Sequence, residues 1–433
     1  MIAVIMAGGQ GTRLREVNKE IPKALFTVSE KTIIEYQIEN LKRCGVEDII
    51  LIIGYLGEAI QSFCGDGSKW NVHIEYILEE EPLGTGGGLY YLKGKVQDDF
   101  LLFYGDLIMD VDFGRMMDFH WKHKAVVTLY THPNSHPYDS DLVETDRMNR
   151  VTGILSKHDK RDGSYHNLVN AGVYCINSKA LEWYDDIWKV DLDKEFITAM
   201  IETKKVFSYR STEYVKDMGT PDRLSNVEKD VNNGLVKSRN MSNKQKAVFL
   251  DRDGTINELD GFIRSPEQLR LINGISDAIK RLNNSEYLTI IVTNQPVIAR
   301  GECSEEGLEE IHKKLETELG RAGAYVDAIF YCPHHPDKGY EGEISELKMD
   351  CNCRKPKVGM IEEAVNRFNI DLKNSWMVGD STVDVQTGIN AGIRTILLST
   401  GERGRDRRYD CKAYKVKDSL MDAVYEILGG ALI

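Results

Sequence analysis

The chain has 433 residues, more than one hydrophobic core usually serves, so two or three domains are expected. A formal charge of -13 without a basic block or a Lys/Arg stripe argues against nucleic-acid partners, because nothing is present to displace counterions from a phosphate backbone. The 42% hydrophobic content suits soluble globular structure, and no basic leader or membrane-length apolar run follows Met1, so a cytoplasmic protein without membrane partners is expected.

In chain order, a strand-like run at 2–6 stops at glycines, an amphipathic stretch at 33–44 precedes an apolar run at 49–53, and another run at 100–104 precedes a helical pattern at 115–123. This βα rhythm predicts a mostly parallel sheet for residues 1–231. The polar stretch 232–246, rich in Asn, Ser and Lys, reads as a linker. The rhythm then restarts over 247–433, with strands expected at 248–250, 288–293, 328–331, 375–378 and 395–398. Helices are expected at 275–282, 304–322, 359–368 and 383–391. The fold class is therefore α/β, with two doubly wound domains.

The first candidate site is the turn after the first strand. Gly8, Gly9 and Gly11 would let backbone N–H groups approach phosphate oxygens, and the cations Arg13 and Lys23 could neutralise a triphosphate during transfer. Gly8-Gly9-Gln10-Gly11-Thr12-Arg13-Leu14 followed by Pro22-Lys23 resembles the sugar-1-phosphate nucleotidyltransferases. That resemblance implies a base-contacting loop at Gly84 and Thr85, Mg²⁺ ligands Asp106 and Asp217, and a sugar-contacting strand at Asn170. It also implies a sugar-phosphate cation at Lys157, although the chain reads Ser156-Lys157-His158 where the family has Glu-Lys-Pro. The run Asp193-Lys194-Glu195 resembles another family segment near the sugar, with a charged helix start as the alternative reading.

The second candidate site opens at Asp251-Arg252-Asp253-Gly254-Thr255, two carboxylates two residues apart at a strand end. One can attack phosphorus while the other gives a proton to the leaving group and then activates water. Together with Thr293, Lys355 and Asp380 in the same order, the motif resembles the haloacid dehalogenase-like phosphatases. The resemblance implies that Thr293 bonds the transferring phosphoryl group and Lys355 offsets its charge. Asp251, Asp380 and the backbone carbonyl of Asp253 would hold Mg²⁺, with Asp384 supporting them.

Five cysteines, Cys44, Cys64, Cys175, Cys303 and Cys411, are isolated and read as reduced, packed thiols. Cys332, His334, Cys351 and Cys353 form two close pairs suited to a structural tetrahedral Zn²⁺, with His335 as the competing imidazole. Ligation would clip the polar 337–350 segment and place Arg354 and Lys355 at the phosphate pocket. This zinc loop with Thr293-Asn294-Gln295 and Ile298-Ala299-Arg300-Gly301 resembles the D-glycero-D-manno-heptose 1,7-bisphosphate 7-phosphatases, which implies a substrate loop that includes Arg300. Pro296-Val297 departs from that family's Ser-Gly, and histidinol-phosphate phosphatases share the zinc loop.

The two resemblances fit one sequence of reactions. The expected enzyme dephosphorylates heptose 1,7-bisphosphate and couples the resulting 1-phosphate to a nucleoside triphosphate, expected to be GTP. Its small-molecule partners would be sugar phosphates and the nucleotide, and a homo-oligomer is left open. Two other readings stay open: transfer to a different sugar 1-phosphate, or one half serving as a silent regulatory module.

Overall fold

The structure is a computed structural model that describes residues 1–9, 20–161 and 163–429. It divides into two compact units. One comprises Met1–His132, Asp141–Ser156 and Val169–Met241; the other comprises Pro133–Ser140, Lys157–Leu168 and Ser242–Ile433.

The core of the first unit is a sheet with Ile2–Met6 at its centre, parallel to Phe100–Tyr104 on one side and to Asp48–Ile53 on the other. His73–Leu78 continues the parallel set beyond Asp48–Ile53. Ala3, Val4, Ile5, Leu51 and Ile52 are fully buried, which is why these strands read as unbroken apolar runs. On the other flank the sheet is mixed: Val169–Ile176 runs antiparallel to both Phe100–Tyr104 and Val127–His132. A strand covered on both faces is equally apolar in either direction, so the sequence pattern does not show this reversal. Helix Ile33–Arg43 starts at a capping box between Thr32 and Glu35 and buries Ile33, Ile34, Ile38 and Leu41. A separate ribbon pairs Leu107–Asp110 with Tyr214–Asp217, placing Asp217 opposite Leu107.

The stretch expected to be a linker is partly packed. Helix Pro221–Asn232 runs up to its first residue, helix Leu235–Ser238 lies within it, and Val236, Asn240 and Met241 are buried. Two buried carboxylates recruit it. Asn240 Nδ2 donates to Asp110 (2.5 Å), and the Met241 N–H donates to Glu213 (2.9 Å), whose pKa burial raises to about 7. A polar side chain that suggested solvation, Asn240, and the backbone beside it thus satisfy interior acceptors.

The second unit is built on an all-parallel sheet in the order Ala328–Cys332, Tyr287–Asn294, Lys246–Leu250, Trp376–Gly379, Arg394–Leu398, Lys415–Lys417. The chain steps outward in one direction from Lys246–Leu250 and later in the other, which opens a crevice at the carboxyl ends of the central strands. The helices Ile275–Asn283, Glu305–Arg321, Gly359–Phe368 and Thr382–Asn390 fall where the sequence places them. Lys415–Lys417 and helix Leu420–Ile427 extend the unit beyond the expected elements.

Two excursions from the N-terminal half belong to this unit and pack on helix Glu305–Arg321. A Cβ at Gly320 would lie 2.5 Å from Pro137 Cγ, so only glycine permits the approach. The Tyr165 N–H donates to Thr317 Oγ1 (2.9 Å), and the Thr317 hydroxyl donates back to the Tyr165 carbonyl (3.0 Å). His166 sets each ring nitrogen 2.8 Å from a carboxylate, Glu316 and Glu309. Burial opposes its charge, but the two carboxylates outweigh burial and raise its pKa from 6.5 to about 9.

A raised imidazolium pKa stabilises the contact fully below the unfolded value and progressively less as pH climbs through the folded value. Protection of the 163–168 amides in hydrogen exchange should therefore be full near pH 6 and fall by at most about 3 kcal/mol as pH passes about 9. His166→Ala should remove this dependence; an unchanged pH profile in the variant would show that His166 does not carry it.

Two candidate active sites

In the first unit the turn after Ile2–Met6 and the turn after Phe100–Tyr104 leave the same sheet edge, with the Gly105 N–H donating to the Met6 carbonyl (2.9 Å). Lys23 Nζ lies 3.0 Å from Asp106 Oδ2, with both side chains about a quarter exposed. The Met218 N–H donates to the Asp106 carbonyl (3.0 Å), which brings the Asp217 ribbon alongside. The Asp217 carboxylate accepts from Arg223 (2.6 Å) and from the Gly219 N–H (2.9 Å). Gly11 and Arg13 lie outside the described residues.

Gly8 and Gly88 both flank one buried carboxylate. A Cβ at Gly8 would sit 2.8 Å from Glu79 Oε2, and one at Gly88 would sit 2.4 Å from Oε1. Burial raises the Glu79 pKa to about 7, and Oε1 has no hydrogen-bond partner among the described residues. Gly9 meets no comparable neighbour among the described residues. Gly84, at φ +80°, passes so close to the Val190 carbonyl that a Cβ would lie 2.4 Å away, and Thr85 Oγ1 accepts from the Leu192 N–H (2.9 Å). The 84–86 loop is thereby pinned along 190–192. Asn170 Nδ2 donates to Asp193 (2.9 Å), which also accepts from the Tyr174 hydroxyl (2.7 Å); burial lifts the Asp193 pKa to about 6. Lys157 belongs to the other unit, where it lines a cleft with Tyr138, Asp159, Arg161, Tyr165 and Arg321.

In the second unit Asp251 follows Lys246–Leu250, Thr293 ends Tyr287–Asn294, and Asp380 follows Trp376–Gly379, so three adjacent strands deliver them to one crevice. Lys355 Nζ is 2.8 Å from Asp251 Oδ1 and 2.6 Å from Asp384 Oδ1. Carboxylate oxygens of Asp251, Asp380 and Asp384 lie within 4.8 Å of one another. Burial first, and then the neighbouring carboxylates, raise Asp251 to about 7 and Asp380 to about 8. Three carboxylates, two buried and Asp251 partly exposed, against one lysine leave surplus negative charge, and an all-oxygen donor set of this kind fits Mg²⁺. Gly254 and Gly401 close on Asp380: a Cβ would meet its Oδ2 at 2.2 and 2.0 Å.

The Asp253 side chain is outside that cluster. It accepts from Arg252, Asn257 and Gln295, each at 2.9 Å. Burial opposes its ionisation, but these donors outweigh burial and keep its pKa below the usual value. Thr293 is buried, and its Oγ1 lies 2.9 Å from Gln295 Nε2. Asn294 holds the Lys355 backbone from both sides, accepting its N–H (3.0 Å) and donating to its carbonyl (3.1 Å).

Cys332, His334, Cys351 and Cys353 present donor atoms within 4.8 Å of one another, with neighbouring separations of 3.2 to 3.7 Å. Tetrahedral zinc with 2.3 Å Zn–S bonds has a ligand–ligand edge of about 3.8 Å, so the four residues fit that ion. His335 instead approaches Arg300 Nη2 (3.3 Å). Arg300 lies over the rings of Phe262 (4.6 Å) and Tyr340 (4.4 Å), and Arg354 donates to the His334 carbonyl (3.1 Å).

Comparison with known proteins matches residues 2–234 to the nucleotidyl transferase family and residues 352–423 to the HAD-hydrolase-like family. The D-glycero-beta-D-manno-heptose-1,7-bisphosphate 7-phosphatase of Haemophilus ducreyi is 39% identical over 181 residues, 42% of this chain and 97% of that protein. The chain belongs to the nucleotidyl transferase and heptose bisphosphate 7-phosphatase families. The corresponding 7-phosphatase of Pasteurella multocida is 42% identical over 36% of this chain and 84% of its own length. The mannose-1-phosphate guanylyltransferase of Mycobacterium tuberculosis is 30% identical over 54% of this chain, which spans 66% of that protein. Membership of both families makes the chain a bifunctional enzyme, nucleotidyltransferase and phosphatase.

Within the phosphatase unit the structure brings Asp251, Lys355 and Asp380 together, adds Asp384, which the sequence reading placed in support, and places Thr293 at the end of the adjacent strand, in contact with Gln295. In the nucleotidyl transferase unit it pairs Lys23 with Asp106, sets the backbone of the Asp217 ribbon beside Asp106 with the Asp217 carboxylate on Arg223, and joins Asn170 to Asp193. Sequence reasoning passed over Glu79, Arg252, Asn257 and Gly401. Glu79 stands in a run of three glutamates, which ordinarily signals a solvated face, and Arg252 lies between the two aspartates that drew the attention.

Because the clip leads directly into Arg354 and Lys355, losing one thiolate should displace the lysine. Cys351→Ser should lower bound zinc, measured by atomic absorption, and reduce phosphate release by about tenfold or more, leaving nucleotidyl transfer intact. Full phosphatase activity without zinc would contradict this.

Proposed function

We propose that the chain removes the 7-phosphate of D-glycero-D-manno-heptose 1,7-bisphosphate and then transfers GMP from GTP to the heptose 1-phosphate, releasing pyrophosphate. The observation that carries this reading is the near full-length match to a 7-phosphatase in a chain that also carries a nucleotidyl transferase unit. The product of one family is a sugar 1-phosphate, the kind of acceptor the other charges.

In the phosphatase site Asp251 is the nucleophile. Its oxygen bonds to phosphorus, the P–O bond to the sugar breaks, and the departing oxygen takes its electron pair and a proton from Asp253, which its donors hold ionised until the substrate's phosphate group brings that proton. Water then attacks the aspartyl phosphate, gives a proton to Asp253, and frees phosphate with Asp251 restored. Thr293 and Lys355 hold the phosphoryl oxygens. Mg²⁺, with Asp251, Asp380 and the Asp253 carbonyl as expected ligands, supplies charge neutralisation at phosphorus. Arg300 and Arg354 are proposed to meet the rest of the bisphosphate.

In the transferase site a sugar-phosphate oxygen attacks the α-phosphorus and pyrophosphate leaves, without an enzyme-bound intermediate. Lys23 and Arg13 offset triphosphate charge, Gly8, Gly9 and Gly11 admit the phosphates to the backbone, and Asp106 and Asp217 are the proposed Mg²⁺ ligands. Asn170 with Asp193 presents polar groups to sugar hydroxyls.

Glu79 supports guanine. Its carboxylate offers two acceptors in a buried setting beside the glycine turn, and guanine is the base whose pairing edge carries two adjacent donors. The Mycobacterium tuberculosis relative, named for mannose 1-phosphate, favours a second reading in which the acceptor is a hexose 1-phosphate.

With Mg²⁺ and heptose 1,7-bisphosphate, the purified protein should yield phosphate, pyrophosphate and GDP-heptose with GTP in preference to the other nucleotides. If no nucleoside diphosphate heptose forms, the coupled reading is wrong; faster turnover of mannose 1-phosphate than of heptose 1-phosphate would favour the second reading. Asp251→Asn should abolish phosphate release and spare transfer to supplied heptose 1-phosphate, and Asp106→Asn should do the reverse.

Glu79→Gln replaces one acceptor with a donor. It should lower kcat/KM for GTP by about a hundredfold and narrow the preference over UTP. In the parent enzyme the KM for GTP should rise as pH falls through about 7, because protonation removes an acceptor. An unchanged base preference in the variant would exclude Glu79 as the base reader.

A further inference from the structure

Arg252 takes no part in the proposed phosphatase steps, yet its side chain is fully buried beside them. A guanidinium without water costs several kcal/mol unless its donors are matched, and an apolar side chain would fill the space without that cost. Its donors are matched asymmetrically. Nε and Nη2 reach Asp253 Oδ1 at 3.1 and 2.9 Å, and Nη2 also reaches Oδ2 at 2.9 Å. Asn257 touches only Oδ1 and Gln295 only Oδ2, so among the described residues the Arg252 fork alone spans both oxygens. A bidentate fork fixes the plane of a carboxyl group, which single donors do not.

The other end of the guanidinium is held as well. Nη1 lies 3.3 Å from Nε2 of His312, a buried residue of helix Glu305–Arg321. Arginine can only donate, so His312 Nε2 is the acceptor and its proton sits on Nδ1. Burial, reinforced by Arg252, depresses the His312 pKa to about 3 and keeps the ring in this neutral state.

We propose that Arg252, backed by His312, is a positioning residue that sets the plane of the Asp253 carboxyl so that the proton it relays reaches the oxygen leaving phosphorus. The inference rests on the phosphatase reading, in which Asp253 is the proton donor. Arg252 gains and loses nothing: the P–O electron pair goes to the leaving oxygen, and the proton comes from Asp253. The consequence is a dependence on the leaving group. A sugar alkoxide needs the aimed proton, whereas p-nitrophenolate departs without one.

The test compares the full-length enzyme with Arg252→Lys, His312→Leu, His312→Gln and Asp253→Asn, on heptose 1,7-bisphosphate and on p-nitrophenyl phosphate. The readouts are steady-state kcat and KM for the sugar substrate and the pre-steady-state burst of p-nitrophenolate, which reports the first step alone. Arg252→Lys keeps the charge and loses the fork. It should cut kcat on the sugar phosphate by about tenfold or more, with KM and the burst rate changed by no more than about threefold. His312→Leu should behave in the same way, and His312→Gln, which keeps an acceptor, should recover most of the rate.

Parallel loss of both activities in Arg252→Lys would indicate a structural ion pair and overturn the inference, as would an unchanged kcat. Asp253→Asn separates the two levels. If it shows the leaving-group split and the Arg252 variant does not, the donor assignment stands and the positioning role falls. If Asp253→Asn itself shows no split, the donor assignment fails and takes the inference with it.

Discussion

The phosphatase unit depends on one buried ammonium. Lys355 is held inside the protein between Asp251 and Asp384, and the attraction of the two carboxylates outweighs a desolvation cost of several kcal/mol and raises its pKa. That arrangement works only if the lysine arrives at one place, so the surrounding chain is tied down at each point. Asn294 grips its backbone, the cysteine–histidine cluster anchors the residues just before it, and Ser381 caps the helix that carries Asp384. Asp380 is then one buried carboxylate too many for a single lysine. The same charge balance that fixes Lys355 therefore creates the need for a divalent cation.

The nucleotidyl transferase unit uses less charge and more backbone. Lys23 and Asp106 form its candidate ion pair at partial exposure, where such pairs contribute about 0–1 kcal/mol. A pair that weak exchanges partners easily, the lysine for phosphate and the aspartate for a cation. Rigidity comes instead from close approach, with Gly8 and Gly88 on Glu79 and Gly84 on Val190. Side chains at those glycines would push apart the strands and loops that shape the cleft. The contrast suits the proposed chemistries: the phosphatase forms and breaks a bond to its own aspartate, and the transferase aligns two substrates.

Motifs at strand ends were legible in the sequence because the parallel fold ties residue order to position. An apolar run that stops at Asp251, at Thr293 or at Asp380 announces both a strand and the edge on which its last residue lies. Partners drawn from elsewhere in the chain were not legible. Glu79 is one of three consecutive glutamates, and nothing local separates the one that turns inward. Arg252 has the sequence character of a surface residue and is buried only because Asp253 and His312 face it. The packing of 235–241 depends on Asp110 and Glu213, acidic groups far away along the chain. The antiparallel course of Val169–Ile176 leaves no periodic trace, since burial on both faces removes the alternation that direction would otherwise modulate.

The excursions Pro133–Ser140 and Lys157–Leu168 show why a linear division of this chain falls short. The Haemophilus ducreyi 7-phosphatase aligns over 181 residues and is nearly fully covered, a span too short to reach from residue 157 to the end of the phosphatase unit. A match of that length cannot hold both these segments and the whole of the phosphatase unit. In this chain helix Glu305–Arg321 has a face made to receive them: a glycine under Pro137, a threonine that both accepts from and donates to Tyr165, and two glutamates around His166. Each of these residues would be unremarkable on a solvated helix. Together they are complementary to segments that the sequence places in the other half of the enzyme. His312, which meets Arg252 behind Asp253, lies on the same helix, between Glu309 and Glu316. The phosphatase unit thus takes part of its structural support from within the nucleotidyl transferase sequence, and that support reaches the helix behind its proposed proton donor.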